Sequence, residues 1–264
     1  MKKLIFFVFC VGVVFLFFKL FQNNETNSSQ TETSSSTDSN AQELPVQKIV
    51  LSDKKISEDT LTYGINLVYP QASGLVNKNS QEKVNKTFQE YAENLVKEFK
   101  AEITDINDIP TGQRSELIMD YDILQLSRQM ISLKFNVSNY TAGAAHPNSF
   151  VHAVTYDLVN DKAIAGLEDV FESEKDYLKV LSDLARENLK VQLADDFASL
   201  RASVEEGTTP EQKNFSEFSI ARGTFNIYFN PYQVAPYAVG VVEVKILYDQ
   251  LQEILRDDFA FKIK

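Results

Sequence analysis

Apolar and polar positions divide the chain into three unequal parts. Residues 4–18, LIFFVFCVGVVFLFF, are wholly apolar, with Lys2 and Lys3 before them and Lys19 after. Carried through Phe21 the run has 18 residues. At about 1.5 Å per helical residue it spans roughly 27 Å, enough to cross a thin bilayer core with Lys19 snorkelling. Bulky and then polar residues follow, with no small-residue cleavage site, so residues 1–21 read as an uncleaved signal anchor and transmembrane helix. The two leading lysines keep the N-terminus in the cytoplasm and send the rest outside, which predicts a single-pass protein of the cell membrane. Residues 22–43, QNNETNSSQTETSSSTDSNAQE, contain one alanine and no larger apolar side chain. Such a segment cannot bury enough surface to offset its chain entropy and is expected to be a disordered linker. Residues 44–264 carry the periodic patterns of a folded domain.

Within that domain, PVQKIVLSDKKI (45–56) and LTYGINLVYP (61–70) are rich in Val, Ile, Leu and Tyr and are predicted strands. Val84, Phe88, Tyr91, Leu95 and Phe99 recur at helical spacing. They predict one face of a helix opened by Asn79, with Glu82 as its capping-box partner, and closed near Ile103. SELIMDYDILQLS (115–127), MISLKFNVSNY (130–140) and FVHAVTYDLV (150–159) are predicted as successive strands. In the second, Ile131, Leu133, Phe135 and Val137 alternate with Ser132, Lys134 and Asn136, so one face is expected to be buried and one wet. LEDVF (167–171) leads into a second helix, capped by Ser173 and Asp176 and running to about Phe197, with Leu178, Leu181, Ala185, Leu189 and Leu193 on one face. A polar loop, EEGTTPEQKN, precedes the strands FSEFSI, TFNIYFN and AVGVVEVKIL, and YDQLQEILR (248–256) is a short closing helix. This order predicts an α+β domain: a largely antiparallel sheet with two main helices packed on it, behind the N-terminal transmembrane helix.

Composition removes several chemistries. Cys10, the only cysteine, lies inside the apolar run, so residues 44–264 have no disulfide, thiol nucleophile or thiolate metal site. The chain has no G-x-S-x-G elbow, Walker loop, G-x-G-x-x-G turn or H-E-x-x-H helix. Its two histidines, His146 and His152, fall short of the roughly three protein ligands of a catalytic zinc. No metal, cofactor or catalytic residue is expected, and the domain reads as non-enzymatic. Among 37 acids no pair is marked out for glycoside cleavage, so a carboxylate-dependent cell-wall hydrolase remains an alternative. Of the 26 Lys and Arg, those at 2, 3 and 19 flank the apolar run, leaving 23 against 37 acids, a net −14. That charge argues against nucleic acid and favours a cationic partner through steering. Nothing in the sequence sets the oligomeric state.

Two stretches stand out. In YTAGAAHPN (140–148) small residues let the backbone turn tightly before His146, and Pro147 biases that histidine toward an extended conformation. In FNPYQVAPYAVG (229–240), Asn230-Pro231 starts a turn, Pro236 breaks any strand, and Tyr232 and Tyr237 offer large apolar faces with polar tips. Tyr140, His146, Asn148, Tyr232 and Tyr237 are the candidate ligand contacts, on the expectation that the two loops lie near each other. The alternative use of both stretches is structural: tight turns and a sealed sheet edge.

YTAGAAH (140–146), LEDVF (167–171) and FNPYQVAPYAVG (229–240) also resemble a known family. It is the exported domain shared by PdaC-type peptidoglycan deacetylases, ahead of their catalytic part, and the ectodomains of RsiV-type anti-sigma factors. The likeness covers about residues 45–250 and departs at Ala144, where that family usually has glycine. It implies lysozyme binding, as in RsiV-type ectodomains, or a role beside peptidoglycan. With three residues before the apolar run, no sigma-binding segment is expected, and no catalytic domain is expected after Lys264. The reading is therefore a membrane-anchored extracytoplasmic binding module for a cell-envelope ligand, either a cationic lysozyme-like protein or peptidoglycan. A carboxylate-dependent hydrolase and a structural envelope protein are the alternatives.

Overall fold

The apolar alternation builds two sheets rather than one. The computed structural model describes residues 48–104 and 112–260, all within one unit, Gln47–Lys264. The expected signal anchor (1–21) and linker (22–43) lie outside the described residues. Among the described residues no helix is long and apolar enough to cross a membrane.

The first sheet has six strands in sequential order: β1 (Val50–Asp59), β2 (Tyr63–Ser73), β3 (Ser115–Leu126), β4 (Met130–Tyr140), β5 (Asn148–Asp157) and β6 (Lys162–Ile164). Its neighbours pair antiparallel except β2 and β3, which run parallel with Tyr63 opposite Ser115. The expected antiparallel sheet is thus mixed. The cause is α1 (Lys78–Thr104), a 27-residue crossover that returns the chain to the end where β2 began, as a parallel pair requires. Its cap is Asn77 rather than Asn79: the Asn77 Oδ1 accepts from the amides of Asn79 (3.0 Å) and Ser80 (3.2 Å). Val84, Phe88, Tyr91, Leu95 and Phe99 are buried as the spacing predicts, against Leu67, Leu117, Leu133, Phe135 and Val137.

The second half of the chain builds its own core. A 3₁₀ turn at Leu167–Asp169 leads to α2 (Tyr177–Gln192), capped by the Asp176 carboxylate, which accepts from the Lys179 amide at 3.3 Å. The helix stops at Gln192, short of Phe197. A further helix, α3 (Phe197–Gly207), extends into the stretch expected to be a polar loop. Asp195-Asp196 favours the break, because short acidic side chains compete for backbone groups inside a helix. Leu200 and Val204 give α3 its buried face. The last strands, β7 (Phe218–Ala221), β8 (Thr224–Phe229) and β9 (Val242–Leu247), form a separate antiparallel sheet in that order. Leu181, Ala185 and Leu189 of α2 join Ile220, Phe225, Ile227, Val244 and Ile246 in one core.

The expected closing helix at 248–256 is absent. A 3₁₀ turn, Tyr248–Gln250, gives way to a bridge between Leu255 and Phe171, and only a short α4 (Asp257–Ala260) follows. The amides of Glu172 and Arg256 donate across to Ile254 (2.9 Å) and Val170 (3.0 Å), so pairing with the 170–172 segment replaces helical bonds. On its polar face the second sheet meets the first, where the Lys134 ammonium lies 5.7 Å above the Tyr228 ring.

Candidate functional site

The loop after β4 is fixed by side chains from distant segments. At the C-terminal end of α1, Glu102 accepts from the Asn139 amide group (3.0 Å) and the Thr141 hydroxyl (2.7 Å). The amides of Ala142 and Gly143 donate to Ser115 Oγ (3.0 Å) and Gln113 Oε1 (2.8 Å). Gly143, at φ 92°, is the left-handed residue. Among the described non-glycine residues only Asp161 and Tyr232 have positive φ, so Ala144 sits in this loop without the strain that would call for glycine.

The second stretch opens with a four-residue turn, in which the Gln233 amide donates to the Asn230 carbonyl at 3.1 Å. Pro231 takes the second position and Tyr232 the third, at φ 73°. That is the pattern of a type II turn, whose third position favours glycine. Both flanks are pinned. Asn230 Oδ1 accepts from the Val151 amide on β5 at 3.0 Å. Gln233 Nε2 donates to the carbonyls of Gly207 (3.2 Å) and Asn214 (2.9 Å). Val234 and Ala235 are buried behind the turn.

The two loops meet. The rings of His146 and Tyr237 stack with centroids 3.7 Å apart and planes 18° from parallel. Tyr232 lies 6.0 Å from Tyr237, tilted by 32°, and its hydroxyl is 3.4 Å from His146 Nε2. His146 Nδ1 lies 2.9 Å from the Pro147 carbonyl, which can only accept, so Nδ1 carries the hydrogen. Nε2 is the ring nitrogen that faces the Tyr232 hydroxyl. His146 is exposed, Tyr237 is half-buried, and Tyr232 is 53% exposed. Tyr140 and Asn148 stand at the two ends of the loop rather than in the ring stack. Tyr140 is half-buried opposite Glu116, and Asn148 is exposed and in register with Asn139.

Pro147, Tyr232 and Tyr237 are the contacts described for His146, and none is acidic. The other histidine does meet an acid. His152 Nδ1 lies 3.3 Å from Glu217 Oε1, and the other oxygen of this buried carboxylate accepts from the Ala153 amide at 3.2 Å. The His152 ring lies 4.5 Å from that of Tyr91. Burial, with the Glu217 and Glu98 charges nearby, pushes the Tyr91 phenol well above its ordinary range. Sequence reasoning missed Glu217, although an acid beside the apolar run of β7 was the available signal. Among the described residues no group of three or more His, Cys, Asp or Glu is placed to hold a metal ion.

Residues 56–149 match the family described as Deacetylase PdaC, and residues 168–249 match the Protein of unknown function family DUF3298. The peptidoglycan-N-acetylmuramic acid deacetylase PdaC of Bacillus subtilis (strain 168) is 33% identical over 205 residues, covering 78% of this chain and 41% of that protein. The anti-sigma-V factor RsiV of the same organism is 26% identical over 195 residues, covering 73% of this chain and 65% of RsiV. The chain thus spans less than two thirds of either relative. A crystal structure of a DUF3298 family member from Bacteroides fragilis superposes with a TM-score of 0.62 at 19% identity, covering 83% of this chain and 98% of that one. A second, from Pseudomonas aeruginosa, gives 0.58 at 12%, covering 80% and 95%. At such identities the two crystal structures speak for the fold. His146 falls in the first matched region and Tyr232 and Tyr237 in the second. Over its described residues the chain therefore resembles the domain shared by PdaC-type peptidoglycan deacetylases and RsiV-type anti-sigma factors, with its two matched regions meeting at the His146–Tyr237 stack.

Proposed function

We propose that this domain is a non-enzymatic binding module of the bacterial cell envelope, held outside the cytoplasm by a membrane anchor at residues 1–21. The His146–Tyr232–Tyr237 stack is its contact face and a cationic lysozyme-like protein its ligand. The observation that carries this reading is Tyr232. A tyrosine held at φ 73° costs about 1 kcal/mol or more where glycine would cost little. The turn is pinned on both flanks, so the strain is imposed, and its product is an exposed aromatic ring on a rigid base. Rigid aromatic anchors of this kind dominate binding energy at protein interfaces. The net charge of −14 beyond the apolar run favours a cationic protein over a neutral glycan. Peptidoglycan is the second reading, favoured by the deacetylase named among the relatives and by a flat ring pair suited to a sugar face.

The test is titration calorimetry of residues 47–264 against a cationic lysozyme at low and moderate salt, with peptidoglycan fragments in parallel. Micromolar or tighter binding that survives moderate salt is expected. Tyr232→Ala or Tyr237→Ala should each weaken it about tenfold or more. Binding lost at moderate salt would reduce the interaction to charge attraction and sink the lysozyme reading. Binding to glycan fragments alone would replace it with the second.

A further inference from the structure

Among the described residues the second sheet ends in an open edge, where β9 pairs with β8 alone, and the direction of its outward backbone groups follows from the register. The Tyr228 amide donates to the Glu217 carbonyl, on the β7 side, at 2.9 Å. Tyr228 and the opposite Glu243 are therefore a non-hydrogen-bonded pair, and the main-chain groups of Glu243 point away from the sheet. Lys245, two residues on, points the same way. Side chains of α2 confirm this direction. Gln192 Nε2 donates to the Glu243 carbonyl at 2.9 Å, and Asn188 Nδ2 to the Lys245 carbonyl at 3.3 Å. The amides of Glu243 and Lys245 face the same open side, into a groove of about 530 Å³ between α2 and β9. Val239 in its lining is 43% exposed, and two apolar neighbours of lining residues in sequence are exposed as well, Val191 (78%) beside Gln192 and Leu247 (57%) two past Lys245.

We propose that this edge pairs with the same edge of a second copy of the chain, across a two-fold axis at Val244. The charge pattern of VEVKIL selects that occupant. Antiparallel pairing centred on Val244 sets Glu243 of one copy opposite Lys245 of the other, and the symmetry repeats the pair. Each is then a hydrogen-bonded pair that exchanges both N–H···O=C bonds, with opposite charges directly across, the arrangement that stabilises antiparallel ladders. Like charges on an edge strand would oppose self-pairing, whereas alternating signs make this one self-complementary. Each edge carbonyl has a second lone pair, so the Gln192 and Asn188 bonds need not break. Within each chain, Lys245 Nζ lies 3.6 Å from Glu243 Oε2, a loose contact that the closer cross-strand pairs replace. Pairing joins the two three-stranded sheets into one and brings both α2 helices to the same face. Val191, three residues from Asn188, then lies beside the dyad instead of in water. The ring stack takes no part, so this inference does not depend on the ligand.

Sedimentation equilibrium of the full chain in density-matched detergent tests it. A reversible monomer–dimer equilibrium is expected. Glu243→Lys and Lys245→Glu should each weaken it about tenfold or more, because each replaces two attractive cross-strand pairs with repulsive ones. An equimolar mixture of the two variants should regain association as a heterodimer, and the double exchange E243K/K245E should regain the homodimer. That recovery separates lost pairing from lost folding. A wild-type chain that stays monomeric to concentrations on the order of 1 mM would overturn the proposal. So would single reversals that dimerise like wild type, or a mixture that does not recover.

Discussion

Replacing Gly207 by alanine sets two opposing effects against each other. Gly207 ends α3, where alanine is intrinsically the better residue by about 1 kcal/mol. Against that, a Cβ at this position would lie 2.1 Å from the Gln233 carbonyl oxygen and 2.9 Å from Val234 Cγ1. Ordinary contact needs about 3.5 Å, so the carbonyl would have to retreat by more than about 1 Å. It is main chain and cannot rotate aside. The turn that carries it is held by the Gln233 amide on Asn230 and by Gln233 Nε2 on Gly207 and Asn214. Overpacking costs about 1–3 kcal/mol, and a rigid backbone obstacle belongs at the upper end. The net expectation is a loss of about 2 kcal/mol, or about 4–8 °C in melting temperature for a domain of this size. Thermal melting followed by circular dichroism reads the stability, and ligand titration should show weaker binding as Tyr232 shifts with its turn. A melting temperature equal to or above wild type would refute the claim that the Tyr232 turn is wedged against α3.

Three further outcomes follow from the same geometry. Phe135 is fully buried with ring centroids 5.0 Å from Tyr91 and 6.1 Å from Phe88, so Phe135→Ala should cost about 3–5 kcal/mol in urea denaturation; a loss under about 1 would contradict the packing. Asn230→Ala strands the Val151 amide and should cost about 1 kcal/mol, whereas Asn230→Asp keeps an acceptor and should cost less; equal losses would show that the bond is idle. Glu58 accepts from Lys100 at 2.7 Å and from the Tyr63 hydroxyl at 3.0 Å, and the Lys100 bond above all holds its carboxyl below the ordinary 4.5. A lowered carboxyl stabilises the fold above the unfolded value and loses that contribution as pH falls through the folded one. Both side chains are more than a third exposed or close to it, so Glu58→Gln should cost only a few tenths of a kcal/mol, roughly, at neutral pH. That gap should close in acid; one that persists unchanged would show that the ion pair is not its source.

What could be read from the sequence was whatever periodicity encodes. The α1 face from Val84 to Phe99 emerged as expected, because burial of those side chains is what forms the helix. β4 buries its apolar face, but its other face is not wet as expected: Ser132 is fully buried, and Lys134 and Asn136 are half-buried where the second sheet covers them. The helix breaks were less legible. α2 ends where two aspartates favour local hydrogen bonding, and 248–256 gave up its helix because Leu255 finds a backbone partner in Phe171. That partner is 84 residues away, and no local pattern shows it. The division into two sheets and the parallel β2–β3 pair have the same non-local origin. Three of the five candidate contacts form the stack, since turn-forming residues marked both loops. The anchors that press those loops together, Glu102, Asn230, Gln233 and the bare Gly207, carried no signal beyond being polar or small.

The position of β1 at the margin of the six-stranded sheet has a mechanical consequence. Any pull transmitted along the chain from residues before Lys48 reaches β1 first, at the Val50–Ser73 rung, the end of the hairpin farthest from its turn. A strand loaded there and bonded to one neighbour peels rung by rung instead of shearing all its bonds together. The domain would therefore yield to a small, steady force at this strand well before its cores separate, and α1 with its apolar face would stay seated on the remaining strands. Force spectroscopy through the N-terminus would register that as a low-force step preceding the main unfolding event.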